Sequence, residues 1–243
     1  MQKILALCLL ACTTAGIAQN KTIVKTNLLG LPFRNYSLEV ERTLTKRFSV
    51  GAAYRTMPKG SLPLIEQIIN SSNTSNPDAV DGLRNIQLGG NAITAEGRIY
   101  LGKTGYGKGF YLGAFYRKSQ YDVDVLPIEV DNGSGSTRTI KTDGNLKSNG
   151  GGLVMGVHFV LGKMISLDWQ LLGFGAAKTT VEINGAPNPP LTNAEQADIR
   201  EAFKDFDVPG VSLNVNVTAN NVNVIGSGTS PMLRSALSIG IRF

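Results

Sequence analysis

The last eleven residues constrain this chain more than any other stretch. Leu233, Ser235, Leu237, Ile239, Ile241 and Phe243 alternate with Arg234, Ala236, Ser238, Gly240 and Arg242. One face is almost wholly apolar, the other is charged or small, and the chain ends on an aromatic residue. A period-two strand of this kind predicts the closing strand of a transmembrane β-barrel.

The N-terminus agrees with an envelope address. Met1-Gln2-Lys3 is a basic start, Ile4 to Ala11 is apolar, and Gly16-Ile17-Ala18 has the small-x-small pattern read by signal peptidase. Residues 1–18 are therefore expected to be a signal peptide and 19–243 one mature barrel domain. Leu9-Leu10-Ala11-Cys12 partly resembles a lipoprotein box, but the residues after Cys12 read like a signal-peptide tail. Cleavage after Ala18 removes both cysteines, Cys8 and Cys12, so neither disulfides nor thiolate chemistry is expected. No apolar run after the signal is long enough for a membrane helix, as expected where each strand is half polar. The formal charge of +6 is not gathered into a block, and no nucleic-acid partner is expected.

Eight segments alternate, at roughly 22–29, 35–44, 47–56, 90–101, 109–123, 147–161, 164–183 and 232–243. The fold class expected is all-β: an eight-stranded antiparallel transmembrane barrel. Thr43 to Lys46, Gly102 to Lys108 and Gly162-Lys163 are tight connections, and only Gly30 to Arg34 is short among the others. The loops at 57–89, 124–146 and 184–231 are long. With both termini periplasmic, the tight turns fall on the periplasmic side and the long loops outside, the asymmetry of outer-membrane barrels.

Two loops hold helical patterns. Leu62 to Ile69 has apolar residues at helical spacing, and Thr192 to Phe206 opens with Thr192 followed by Glu195, a capping box. Val211 to Ile225 alternates like a hairpin. It either stands above the membrane or adds two strands to give a ten-stranded barrel. Val123 to Val130 and Thr137 to Lys141 are expected to extend strands five and six.

Alternation assigns the faces. The lumen is expected to receive Lys25, Glu39, Glu41, Arg47, Arg55, Glu96, Arg98, Arg117, His158, Asp168, Arg234 and Arg242. Leu172 shares the inward face of strand seven. Phe48, Tyr54, Phe159, Trp169 and Phe243 are expected to form a membrane-facing girdle. Eight strands leave an interior just wide enough for side chains, so the charges there must pair. A salt-bridged plug is the first reading; an anion-preferring pore is the second, because basic residues outnumber acidic ones.

Motifs for chemistry are weak. Gly102-Lys103-Thr104-Gly105-Tyr106-Gly107-Lys108 imitates a phosphate loop, but Gly109 replaces the Ser or Thr that would hold magnesium, and an aromatic strand follows. His158 is the sole histidine; Ser166 and Asp168 lie near it by alternation, but in mid-lumen, away from lipid and peptide substrates. No catalytic residue, metal site or cofactor is expected.

Lys25-Thr26-Asn27-Leu28-Leu29, Tyr36-Ser37-Leu38-Glu39-Val40-Glu41 and Phe48-Ser49-Val50-Gly51 resemble the small outer-membrane barrels of uncharacterised function common in Bacteroidetes-type bacteria. The resemblance implies an OmpA-like eight-stranded barrel and carries over no catalytic residues. Because the chain stops on its last strand, no peptidoglycan-binding domain is expected. The function expected is a non-enzymatic structural or surface-display protein. It would contact outer-membrane lipid and, through the loops at 57–89, 124–146 and 184–231, envelope proteins. A narrow anion channel and a lipid-modifying enzyme centred on His158 are the alternatives.

Overall fold

The computed structural model describes residues 22–71, 80, 84–102, 106–131, 137–162, 164–203 and 210–243. The expected signal peptide lies outside the described residues, as do 103–105, 132–136, Lys163 and 204–209.

Nine strands form one antiparallel sheet: β1 (Thr22–Asn27), β2 (Tyr36–Thr43), β3 (Phe48–Ser61), β4 (Gln87–Tyr100), β5 (Gly109–Asp131), β6 (Thr137–Leu161), β7 (Ile165–Gly185), β8 (Val211–Thr218) and β9 (Asn221–Arg242). Each of β1 to β6 pairs with the next, β7 pairs with β9, and β9 closes on β1 with Ile23 opposite Arg242. The ring therefore has eight members, and closure leaves no free edge in the bilayer. β8 stands outside the ring. It pairs with residues 221–228 of β9, on the edge that β1 occupies lower down at 238–242. The hairpin expected over 211–225 is thus real, but its second arm is the top of the closing strand.

The wall is lopsided. β1 and β2 have 6 and 8 residues, whereas β5, β6, β7 and β9 have 23, 25, 21 and 22. A tilted strand crosses a bilayer in about 9–11 residues, so the second half of the barrel projects far beyond it. The loop expected over 124–146 is mostly strand, and β9 starts at 221 rather than near 232.

The exterior is apolar where a soluble protein would be polar. Phe48, Tyr54, Phe159, Trp169 and Phe243 are about half exposed, and Leu153, Ile93 and Ile165 share that surface. An apolar surface girdling a closed sheet is matched only by lipid. The protein is a transmembrane β-barrel of the outer-membrane type.

The register shifts at Met57–Gly60 and Val123–Leu126 in the upper wall, and at one place lower down in β7. Between Gln170 and Gly173, β7 carries two residues opposite one on β9, and Ser235 Oγ donates to the Gln170 carbonyl at 3.0 Å. This bulge turns both Leu171 and Leu172 outward. Leu172 is therefore lipid-facing, contrary to the sequence expectation.

Above the membrane band the tall strands build a headpiece with its own apolar core. Helix α1 (Ile65–Ser71) lies in the β3–β4 connection, and helix α2 (Asn193–Ala202) lies between β7 and β8. Thr192 caps α2 by accepting from the Glu195 amide, while the Glu195 carboxylate accepts from the Thr192 amide, completing the capping box. Ile199 of α2 is fully buried with Val130, Ile140, Leu191, Val217 and Val222. Val181, Ile183 and Val224 form a second cluster beside it. The inward faces of β5, β6, β7 and β9 thus change from polar within the membrane to apolar around α2.

Candidate functional site

The densest chemistry lies in the lumen. Lys25 points in from β1, Glu39 and Glu41 from β2, Glu96 and Arg98 from β4, Asp168 from β7 and Arg234 from β9, as period-two alternation requires. Lys25 Nζ lies 2.8, 2.7 and 2.6 Å from Glu39, Glu41 and Asp168. Arg98 reaches the same three carboxylates, at 3.2, 3.0 and 2.5 Å, and Glu96 at 2.6 Å. Glu96 passes the contact on to Arg234 at 2.9 Å.

Neutral side chains complete the lattice. Ser49 and Tyr100 donate to Glu41 at 2.6 and 2.7 Å, and Tyr111 donates to Asp168 at 2.9 Å. The Arg98 guanidinium lies 4.3 Å over the Tyr111 ring, and that of Arg234 lies 4.6 Å over Phe115. Ser49 and Tyr100 share the inward parity of strands three and four in the sequence; Tyr111 and Phe115 are the residues of the lattice that the sequence reading did not name. Their inward parity was available in the same alternation.

Three cations thus meet four carboxylates in a largely buried space, with Glu39 at its accessible edge. Burying such charges is tolerable only because each is paired and further hydrogen-bonded. The carboxylates of Glu39, Glu41 and Asp168 are close enough together to hold a metal ion. The Lys25 ammonium and the Arg98 guanidinium fill that place, so the residues do not fit a further cation.

The remaining expected lumen residues divide by height. Arg117 and Arg55 lie on the tall-wall side of the lattice and, among the described residues, bond neutral oxygens, Thr94 Oγ1 at 3.0 Å and Tyr121 Oη at 2.7 Å. Arg242 is buried at the opposite rim. Arg47 is not in the lumen. It is an exposed residue of the β2–β3 turn, where its carbonyl accepts the Tyr100 amide. β3 begins one residue later than expected, at Phe48.

His158 is fully buried, opposite Asp168 in the β6–β7 register. Its Nδ1 is 3.4 Å from Tyr100 Oη, while its Nε2 and the Ser166 hydroxyl have no hydrogen-bond partner among the described residues. The Asp168 oxygens are taken by Lys25, Arg98 and Tyr111. A nucleophile, a base and an orienting acid in hydrogen-bonded sequence are therefore not assembled. Of the phosphate-loop lookalike, residues 103–105 lie outside the described residues; the Tyr106 amide donates to the Lys46 carbonyl, and Gly107, at φ +68°, lies against Thr43 and Tyr100 beneath the lattice.

A family model described as "Protein of unknown function (DUF3575)" matches residues 4–184. The chain belongs to this DUF3575 family. The matched region of this DUF3575 protein ends within β7, so α2, β8 and the closing β9 lie beyond it. No curated protein matches the sequence. Among solved structures, the chain is similar to CarO2 of Acinetobacter baumannii, at 12% identity and TM-score 0.42, over 92% of this chain and 98% of that one. It is also similar to the N-terminal β-barrel domain of OprF from Pseudomonas aeruginosa, at 10% identity and TM-score 0.29, over 93% and 98%. A third similarity is to the outer membrane protease OmpT of Escherichia coli, at 12% identity and TM-score 0.37, over 92% and 93%. The fold assignment of this DUF3575 barrel rests on its strand pairing, not on these likenesses.

Proposed function

We propose that the protein is a non-enzymatic outer-membrane scaffold that displays the headpiece around α2 at the cell surface. Both termini and the tight turns lie on the periplasmic side. The observation that carries this reading is the separate apolar core of Ile199, Val130, Ile140, Val217 and Val222 on strands that overshoot the membrane. Neither spanning nor closing a barrel requires such a core. A rigid, folded platform is what partner recognition requires.

The salt-bridged lumen supports the scaffold reading over a channel. Arg55 and Arg117 favour anions at the mouth, but the lattice below them is nearly neutral and packed by Tyr100 and Tyr111. His158, enclosed in that lattice, supports no role in lipid modification.

The test is crosslinking in the intact envelope, comparing the full chain with a variant in which residues 190–219 are replaced by a short Gly-Ser turn. Loss of specific crosslinked neighbours, with the heat-modifiable gel shift of the barrel retained, supports display. An unchanged set of neighbours overturns it. A planar bilayer that shows discrete single-channel steps with the full chain revives the channel.

A further inference from the structure

The outer wall carries a basic row that neither the scaffold role nor the lumen lattice uses. Lys118 on β5, Asn149 on β6 and Lys178 on β7 are direct cross-strand neighbours. One step along the strands toward the tall end, Gln120, Lys147 and Thr180 are neighbours in the same way. The side chains of Lys118, Lys147 and Lys178 are exposed and line one concave patch. Strands are about 4.8 Å apart, which sets Lys118 and Lys178 roughly 10 Å apart with Lys147 between them. Among the described residues no carboxylate pairs with any of the three.

The position of the row relative to the membrane band gives it meaning. Next below Lys118 on the same face is Tyr116, half exposed, whose hydroxyl bonds Asn149. Below that the exterior is Leu153 and Phe174, then Leu112 and Leu172. From Gly109 to Lys118, β5 climbs about 23 Å at the usual strand tilt, close to the ~25 Å apolar band of such barrels. The lysines therefore stand at headgroup height, just past an aromatic residue of the kind that marks the interface. Asp122 lies one row further out but is already bonded by Asn145 and Gln120.

We infer that Lys118, Lys147 and Lys178 form a site for a phosphorylated glycolipid headgroup of the outer leaflet. The ammoniums match phosphate, and the flanking Asn149, Gln120 and Thr180 offer amide and hydroxyl groups to sugar hydroxyls. The choice of leaflet rests on the orientation given under Proposed function; the phosphate chemistry does not.

The experiment is native mass spectrometry of the purified full chain released from mixed micelles. These contain a bis-phosphorylated diglucosamine lipid, its dephosphorylated form, or phosphatidylglycerol. The wild type is expected to retain the phosphorylated glycolipid over both others. Lys118→Gln/Lys147→Gln/Lys178→Gln is expected to lose that preference, by about fivefold per charge and on the order of a hundredfold in total. Lys46→Gln/Arg47→Gln, at the opposite rim, serves as the control and is expected to keep it. Equal retention of all three lipids by the wild type, or unchanged preference in the triple variant while its heat-modifiable shift shows a folded barrel, overturns the inference. Displacement of the glycolipid by inorganic phosphate alone also overturns the lipid assignment. Labelling of a cysteine placed at Asn188 by a membrane-impermeant reagent on whole cells reports orientation separately, so a failed orientation and a failed site remain distinguishable.

Discussion

Lys25 Nζ and Asp168 Oδ2 are 2.6 Å apart although 143 positions separate them in the chain. β1 and β7 flank the closing strand β9 on its two sides. Their ion pair therefore crosses behind β9 and ties the first strand to the last part of the ring. Lys25→Met leaves Asp168 and Glu41 buried without their ammonium and is expected to cost about 3–5 kcal/mol. Asp168→Leu added to it restores part of the loss, because the double variant no longer strands that carboxylate. Urea titration in lipid vesicles, read through the fluorescence of Trp169, the sole tryptophan, measures both. A change in the single variant below about 1 kcal/mol would show that the lattice does not hold the ring.

The headpiece and the barrel are expected to lose order separately. Ile199→Asp places a carboxylate among the apolar side chains of Val130, Ile140 and Val222, a costly burial. Limited proteolysis should then cut between residues 186 and 220, while the membrane-embedded part keeps its heat-modifiable migration. Thr192→Ala, which removes only the cap, should give a milder form of the same result, about 1 kcal/mol. Equal loss of barrel and headpiece in Ile199→Asp would show a single cooperative unit.

The β3–β4 connection should be sensitive to acid. Arg84 Nε and Nη2 each donate to Glu66 at 3.1 Å, and these hydrogen bonds hold the Glu66 carboxyl below its ordinary range. A lowered folded-state value means the contribution is full above about pH 4.3, the ordinary glutamate value, and disappears as pH falls through the lowered one. Both side chains are exposed, so the effect is local. Amide hydrogen exchange across Ile65–Ser71 should rise on acidification, and Glu66→Gln should abolish that pH dependence.

What the sequence reveals follows where lipid imposes a rule. From Leu233 to Phe243 one face must be apolar, and the alternation is plain. From Gly226 to Pro231 the same strand continues above the bilayer, where small and polar residues suffice, so its upper half reads as loop. The inward direction of Lys25, Arg98 and Asp168 is local information carried by parity. Which carboxylate meets which cation is not, because ring closure brings together strands far apart in sequence. Arg47 shows the opposite error: alternation continued one step into a turn, where parity has no meaning. The capping box at Thr192 was legible because its two hydrogen bonds need only residues three apart.

The bulge in β7 separates alternation from structure most sharply. Counting by twos from Asp168 places Leu172 in the lumen beside Arg234, whereas the two-for-one pairing at Ser235 turns it out beside Leu171. Leu172→Arg is therefore expected to behave as a charge in lipid, costing about 2–4 kcal/mol if the residue lies near the midplane. The comparison variant is Gly173→Ala. Its Cβ would lie 2.6 Å from the Arg234 side chain, on the lumen side. The contact is with Cγ, near the backbone of a side chain held by Glu96 and stacked on Phe115, so relief requires a shift there, at about 1–3 kcal/mol. Vesicle-based urea titration of the pair, again through Trp169, distinguishes the two registers. If Leu172→Arg and Gly173→Ala were both tolerated, uninterrupted alternation, which turns Leu172 inward and Gly173 toward lipid, would be right and the bulge wrong.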